Sequence, residues 1–218
     1  MTAVTRGALA SLPRRRLHHG RNVTKAVVDL VEIDGRVIVL KDLAPRPWPV
    51  RLLLGPWQLD REERAYRALA GTRGTPAFVA RVDRQAIALA YVPGRSLASF
   101  RPGELGPEFF DRLDLLVHAL HARGVAHGDL HRHDVLSGPG GEPYLVDFST
   151  SVALSSGTGW VTRFLFRQLC RADLRSAAKL RRRHLPVAGG ELPDRPPLYR
   201  AGRWLKRTLD LLRGGRRR

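Results

Sequence analysis

The stretch His127-Gly128-Asp129-Leu130-His131-Arg132-His133-Asp134-Val135-Leu136 holds three histidines and two aspartates between apolar anchors. Side chains of these types can hold a metal ion, orient a hydroxyl for reaction, or simply form a solvated turn. A third aspartate, Asp147, follows Asp129 by 18 residues and closes the apolar pair Leu145-Val146. Far upstream, Lys41 ends the apolar run Val37-Ile38-Val39-Leu40, and Glu62 and Glu63 lie between the two regions. Taken singly, each has a plain explanation. Lys41 could be an edge-strand lysine that blocks aggregation. Glu62 and Glu63 could be solvated helix charges, Asp147 a turn residue and Asp134 a cap.

Zinc is the first chemistry to weigh. His118, His121, His127, His131 and His133 fall within sixteen residues, and the first two share a helix face. No His-Glu-x-x-His set is present and the single cysteine, Cys170, is distant, so the spacing argues against zinc.

The elements that must position these residues can be read from periodicity. Residues 26–33 and 36–41 are strand-like runs joined at Asp34-Gly35, a hairpin signal because the turn needs positive φ. Pro45, Pro47, Pro49 and Pro56 mark a loop, and 59–70 reads as a helix capped at Gly71. Short strands are expected at 77–82 and 85–92, stopped by Pro93-Gly94. Phe109, Leu113, Leu116 and Leu120 then recur at helical spacing, with Pro107 in the first turn and Gly124 past the end. A strand is expected at 144–148, helices at 160–184 and 199–212. Strands early and helices late predict a two-lobe α+β fold.

Strand lysine, helix glutamate, His-Gly-Asp loop and strand-borne aspartate, in that order, resemble the protein-kinase signature over about residues 20–155. His-Gly-Asp-Leu-His is closer to an atypical bacterial branch. It resembles lipopolysaccharide-core sugar kinases, RIO-type kinases and aminoglycoside-type phosphotransferases. Tyr91-Val92-Pro93-Gly94-Arg95-Ser96-Leu97 resembles their hinge. The resemblance implies a small antiparallel-sheet N-lobe with one helix and a reduced, mainly helical C-lobe. It divides the chain into a basic leader (1–19), the N-lobe (20–92), a C-lobe with the catalytic loop (93–185), and a Pro-rich linker with a basic C-terminal helix (186–218).

The resemblance further implies an ATP- and Mg²⁺-dependent kinase acting on a hydroxyl of a lipopolysaccharide-type sugar or a protein Ser/Thr. Phosphoryl transfer asks a protein mainly to position charges. Lys41 would contact the α/β-phosphates. Glu62 would hold that lysine, preferred over Glu63 because Tyr66 and Leu69 then fall at +4 and +7. The backbone of Ala90 and Val92 would meet adenine. Asp129 would orient the attacking hydroxyl, His131 would stand near the γ-phosphate, and Asp134 and Asp147 would bind Mg²⁺. His127 would brace the loop. Three departures keep a non-catalytic kinase-like binding module open. Gly20-Arg21-Asn22-Val23 stands where a glycine-rich loop would be, Asp134 replaces asparagine, and Ser149 follows Asp-Phe in place of glycine. Gly128 replaces the arginine that answers a phosphorylated activation segment. The segment after Asp147 is short and lacks Ala-Pro-Glu, so activity is expected without such phosphorylation.

Composition sets the remaining bounds. At 218 residues the chain can bury a sizeable core. It has no run of about 18 apolar residues, and Arg14-Arg15-Arg16 precedes no apolar region of the secretory type. The expected compartment is the cytoplasm, with peripheral contact at the inner face of the membrane. Net charge is +18, and residues 160–218 hold 17 of the 38 Lys+Arg against 4 of the 20 Asp+Glu. Such a field attracts anionic lipid, nucleic acid or phosphorylated substrates. Arginine outnumbers lysine 34 to 4, which a coding bias would also produce, and no specific nucleic-acid motif is present. Arg163, Arg167, Arg171, Arg175, Lys179 and Arg183 form a basic stripe. The accompanying Val161, Phe164, Leu165 and Leu169 are expected to pack within the C-lobe.

Overall fold

The computed structural model describes residues 4–18, 24–185 and 193. Strands β1 (Arg14–His18), β2 (Val27–Ile33), β3 (Arg36–Asp42), β4 (Phe78–Asp83) and β5 (Ala86–Ala90) form one antiparallel sheet in the order β1-β2-β3-β5-β4. The β2–β3 hairpin turns at Asp34 (φ 49°) and Gly35 (φ 70°), as an Asp-Gly turn requires. Strand β3 is central, with Lys41 opposite Val28 on one side and Ile87 on the other. Lys41 is therefore not an edge-strand lysine.

The stretch read as a leader has structure of its own. Helix α1 (Arg6–Ala10), capped by Thr5, lays Leu9 on the sheet face made by Val31, Ile38, Leu40 and Ala88. Its charges are paired: Arg6 binds Asp42 at 3.0 Å and also Asp83, while Arg16 of β1 binds Asp29. Acids on the sheet thus draw a basic segment into an edge strand. The Gly20–Val23 stretch and the expected C-terminal helix at 199–212 lie outside the described residues.

The proline-marked loop is shorter than expected. A π-helical turn spans Val50–Leu54, and α2 (Gly55–Ala68) begins four residues early. Pro56 falls in its first turn, where a missing N–H costs nothing. Leu59, Glu62, Ala65 and Tyr66 form its buried face.

The C-terminal half contains α3 (Pro107–Ala122) and α4 (Trp160–His184) with five short strands: β6 (Arg95–Ser96), β7 (Val125–Ala126), β8 (Val135–Ser137), β9 (Pro143–Leu145) and β10 (Val152–Ala153). They pair as β6-β8-β9 and β7-β10. The α3 stripe of Phe109, Leu113, Leu116 and Leu120 is buried as its spacing requires. One apolar cluster runs from Ile87 and Leu89 of the sheet through α2 and α3 to Ala177 and Leu180 of α4.

Two expectations fail here. The strand expected over 144–148 ends at Leu145, because Asp147 takes a left-handed conformation (φ 66°, ψ 67°) and Phe148–Thr150 turn as a 3₁₀ helix. The apolar residues at the start of α4 do not pack inward. Trp160 is 80% exposed and Val161, Phe164 and Leu165 also face outward. Phe166 meets the His121 ring of α3, and the fully buried contacts start at Gln168 and run through Asp173, Ala177, Leu180 and His184. Among the described residues no helix is long and apolar enough to cross a membrane.

Candidate active site

The α2 spacing decides between the two glutamates. Glu62 lies on the buried face, and Lys41, only 8% exposed, donates to its Oε1. Glu63 turns outward to Arg67 (2.8 Å) and Arg81 (2.9 Å). Lys41 Nζ also donates to Asp147 Oδ1 at 2.9 Å, joining residues 106 positions apart. Burial opposes a charge on Lys41, but Asp147 and Glu62 outweigh it and hold the ammonium well above its usual range. Burial would raise Asp147, yet Lys41 and then Lys25 hold it well below the ordinary carboxylate range.

The backbone around Asp147 is fixed from behind. Phe148 meets Tyr66 edge-on (centroids 5.0 Å apart) and packs on His127 (4.9 Å), joining α2 to the loop. The His127 ring donates through Nε2 to Val146 O at 3.0 Å, so this histidine braces the strand before Asp147. Val146 N in turn donates to Asp134 O at 2.9 Å.

Asp129 points outward, its side chain 60% exposed, with His131 Nδ1 3.4 Å from its carboxylate. That nitrogen donates to Asp129 O at 2.7 Å, while His131 N donates to Asp134 Oδ2 at 3.0 Å. Asp134 is half-buried. Desolvation, with the nearby Asp147 charge adding to it, outweighs the opposing His127 and His131, so its carboxyl is pushed up to about 6. The histidines have separate partners: His127 binds Val146, His131 binds Asp129 and His121 binds Asp173 at 3.1 Å.

A cavity of about 620 Å³ collects the positions singled out from sequence. Lys41, Glu62, Ala90, Val92, Asp129, His131, Asp134 and Asp147 all line it. Its walls include Val28, Val39, Leu89 and Leu136, so an apolar slot opens onto a charged end. Ala90 N is committed to Ala77 O at 2.8 Å, which leaves that residue only its carbonyl for a ligand.

Three further residues build the site. Asp173 of α4 accepts from His127 N (2.8 Å), Gly128 N (2.9 Å) and His121 Nε2. Arg61 of α2 donates to Thr150 O and Ser151 O, both at 2.7 Å, and lies over the Trp57 ring. Lys25 donates to Ser149 Oγ at 2.7 Å. The sequence holds a signal for Asp173, the only acid among the cations of 160–184. It holds a weaker one for Lys25, one of only four lysines.

No protein-family model matches the chain. Over 129 residues it is 30% identical to a 3-deoxy-D-manno-octulosonic acid kinase of Xylella fastidiosa (strain M12), covering 59% of this chain and 46% of that protein. The chain thus spans about half the length of that curated relative. The Rio2 kinase of Chaetomium thermophilum superposes with a TM-score of 0.63 at 16% identity, over 86% of this chain and 62% of that one. The chain has a protein kinase-like fold. The same kinase solved as an ADP/Mg²⁺-phosphoaspartate complex superposes at 0.58 and 17% identity, over 86% and 65%. In this kinase-like fold the five-stranded sheet and α2 make the smaller lobe, and the cavity opens between them and the His127–Asp147 region.

Proposed function

We propose that the chain is an ATP-dependent phosphotransferase that moves the γ-phosphoryl group to a hydroxyl. The observation that carries this reading is the convergence of Lys41, Glu62 and Asp147 at the charged end of a cavity that Asp129 also lines. The apolar slot suits a flat base, and Ala90 and Val92 line the cavity where their backbone would meet it. Lys41, kept charged and aimed by Glu62, would offset phosphate charge. Exposed Asp129 would accept the proton of the acceptor hydroxyl as its oxygen bonds to phosphorus and the bond to ADP breaks. His131, tied to both Asp129 and Asp134, would steady that carboxylate.

Asp134 and Asp147 fit a Mg²⁺ ion. Both are hard oxygen donors that line the same cavity, and they would hold the ion there. When bound, the ion would neutralise phosphate charge.

The acceptor we favour is a lipopolysaccharide-type sugar, on the strength of the relative named for 3-deoxy-D-manno-octulosonic acid. A protein Ser/Thr is the second choice. The outward Trp160, Val161, Phe164 and Leu165, interleaved with Arg163 and Arg167, support peripheral contact with an anionic membrane at its cytoplasmic face. Vesicles containing anionic lipid should sediment the protein, and Trp160→Ser with Phe164→Ser should abolish this. Retention by the double variant rejects the contact.

The central test is ATP turnover with candidate sugars and proteins, read by the mass gained on the product. An increment of one phosphoryl group on a hydroxyl bears the reading out. Nucleotide binding with no transfer to any acceptor would leave the non-catalytic binding module as the better description.

A further inference from the structure

Two of the chain's four lysines reach the same carboxylate. Lys41 Nζ holds Asp147 Oδ1 at 2.9 Å, and Lys25 Nζ stands 3.9 Å from Asp147 Oδ2 while donating to Ser149 Oγ at 2.7 Å. The two ammoniums bracket Asp147, one at each oxygen. Their surroundings differ. Lys41 is enclosed and has buried Glu62 as a second partner. The Lys25 side chain is 38% exposed, lines the cavity, and is held by a neutral hydroxyl and a carboxylate beyond hydrogen-bond reach. Its backbone is anchored, with Arg46 donating to Lys25 O at 2.7 Å.

The charge balance gives this cation work to do. Glu62, Asp134 and Asp147 all line the cavity, and a triphosphate adds further negative charge. Lys25 lies just past Gly20–Val23, where the glycines expected to cover phosphates are missing. Ser149 is itself a departure from the kinase pattern. One departure, Ser149, thus hydrogen-bonds the lysine that follows the other in sequence.

Accepting the phosphotransferase reading, we infer that Lys25 is a second phosphate-binding cation, supplying by charge what a glycine-rich loop supplies by backbone N–H groups. Ser149 holds it beside Asp147 while no nucleotide is bound. When nucleotide enters, the ammonium exchanges the hydroxyl for a phosphate oxygen, and no covalent bond changes.

The test is calorimetric titration of the full chain with adenosine, ADP and ATP in excess Mg²⁺. Lys25→Ala should weaken ATP about tenfold or more, the size of one lost charge-assisted contact. It should weaken ADP less and leave adenosine unchanged. Lys25→Arg should restore most of the ATP affinity, and Ser149→Ala should keep it at or above wild type. If all three ligands weaken equally in Lys25→Ala, the residue is structural and the inference fails. Unchanged ATP affinity in that variant also overturns it, leaving the phosphotransferase reading intact. Wild-type protein that binds none of the three ligands overturns both.

Discussion

Asp134 and Asp147 face one cavity but are held on opposite sides of the ordinary carboxylate range. Burial lifts Asp134 to about 6, above its unfolded value, so the folded protein binds that proton more tightly than the unfolded chain does. Its ionisation therefore costs stability above pH 6, and the cost is relieved as pH falls from 6 towards 4. In metal-free protein, Asp134→Asn should stabilise by up to about 3 kcal/mol at pH 7, and the gain should vanish near pH 4. Denaturant midpoints of both proteins across that range measure it. Asp147 has the opposite sign, because its depressed value gives stability that is lost only in stronger acid. Asp129 is exposed, and Asp129→Ala should lower turnover about 10²–10⁴-fold with an unchanged melting temperature. Lys41→Met is a different case. It strands Glu62 as a buried, unpaired charge and should cost about 3–5 kcal/mol as well as activity. The double variant Lys41→Met/Glu62→Gln should regain much of that stability and none of the turnover, which separates positioning of phosphate from support of the fold.

At the scale of elements, α4 anchors the reactive loop through one side chain. Asp173 serves two backbone N–H groups and the His121 ring with two oxygens. Asp173→Ala orphans them at about 1–3 kcal/mol per donor, and should cut turnover without touching substrate. Gly128 explains itself in the same loop. Its φ is +83°, and a Cβ there would lie 2.8 Å from Thr150 O, so the arginine of regulated kinases has no room. Gly128→Ala should cost roughly 1–3 kcal/mol, seen as an earlier unfolding midpoint. Much of this layer was legible in sequence. The Asp34-Gly35 hairpin, the α3 stripe and the choice of Glu62 all follow from period and turn chemistry. The role of Asp173 was not, although it stands out as a lone acid, because two of its three partners are backbone N–H groups that carry no residue type. Lys25 was missed because a lone lysine beyond an absent glycine loop has no pattern to belong to. The outward start of α4 was misread because periodicity shows which residues share a face, not whether another element covers that face.

For the molecule as a whole, the two-lobe layout was readable from the order of strands and helices, and the apolar cluster joining the lobes was not. The net charge of +18 named a class of partner without placing it; the paired Arg6 and Arg16 show that part of that charge is used internally. Phosphatase treatment should leave the rate unchanged, since Gly128 takes the place of the arginine that would receive a phosphate, and a collapse of the rate would contradict that. Arg61 carries this further. It grips the carbonyls of Thr150 and Ser151 from the residue next to Glu62, so a single turn of α2 holds both the lysine partner and the chain just past Asp147. Rotating that helix outward would break both grips together. The lysine pairing and the turn beyond Asp147 therefore stand or fall as one mechanical unit.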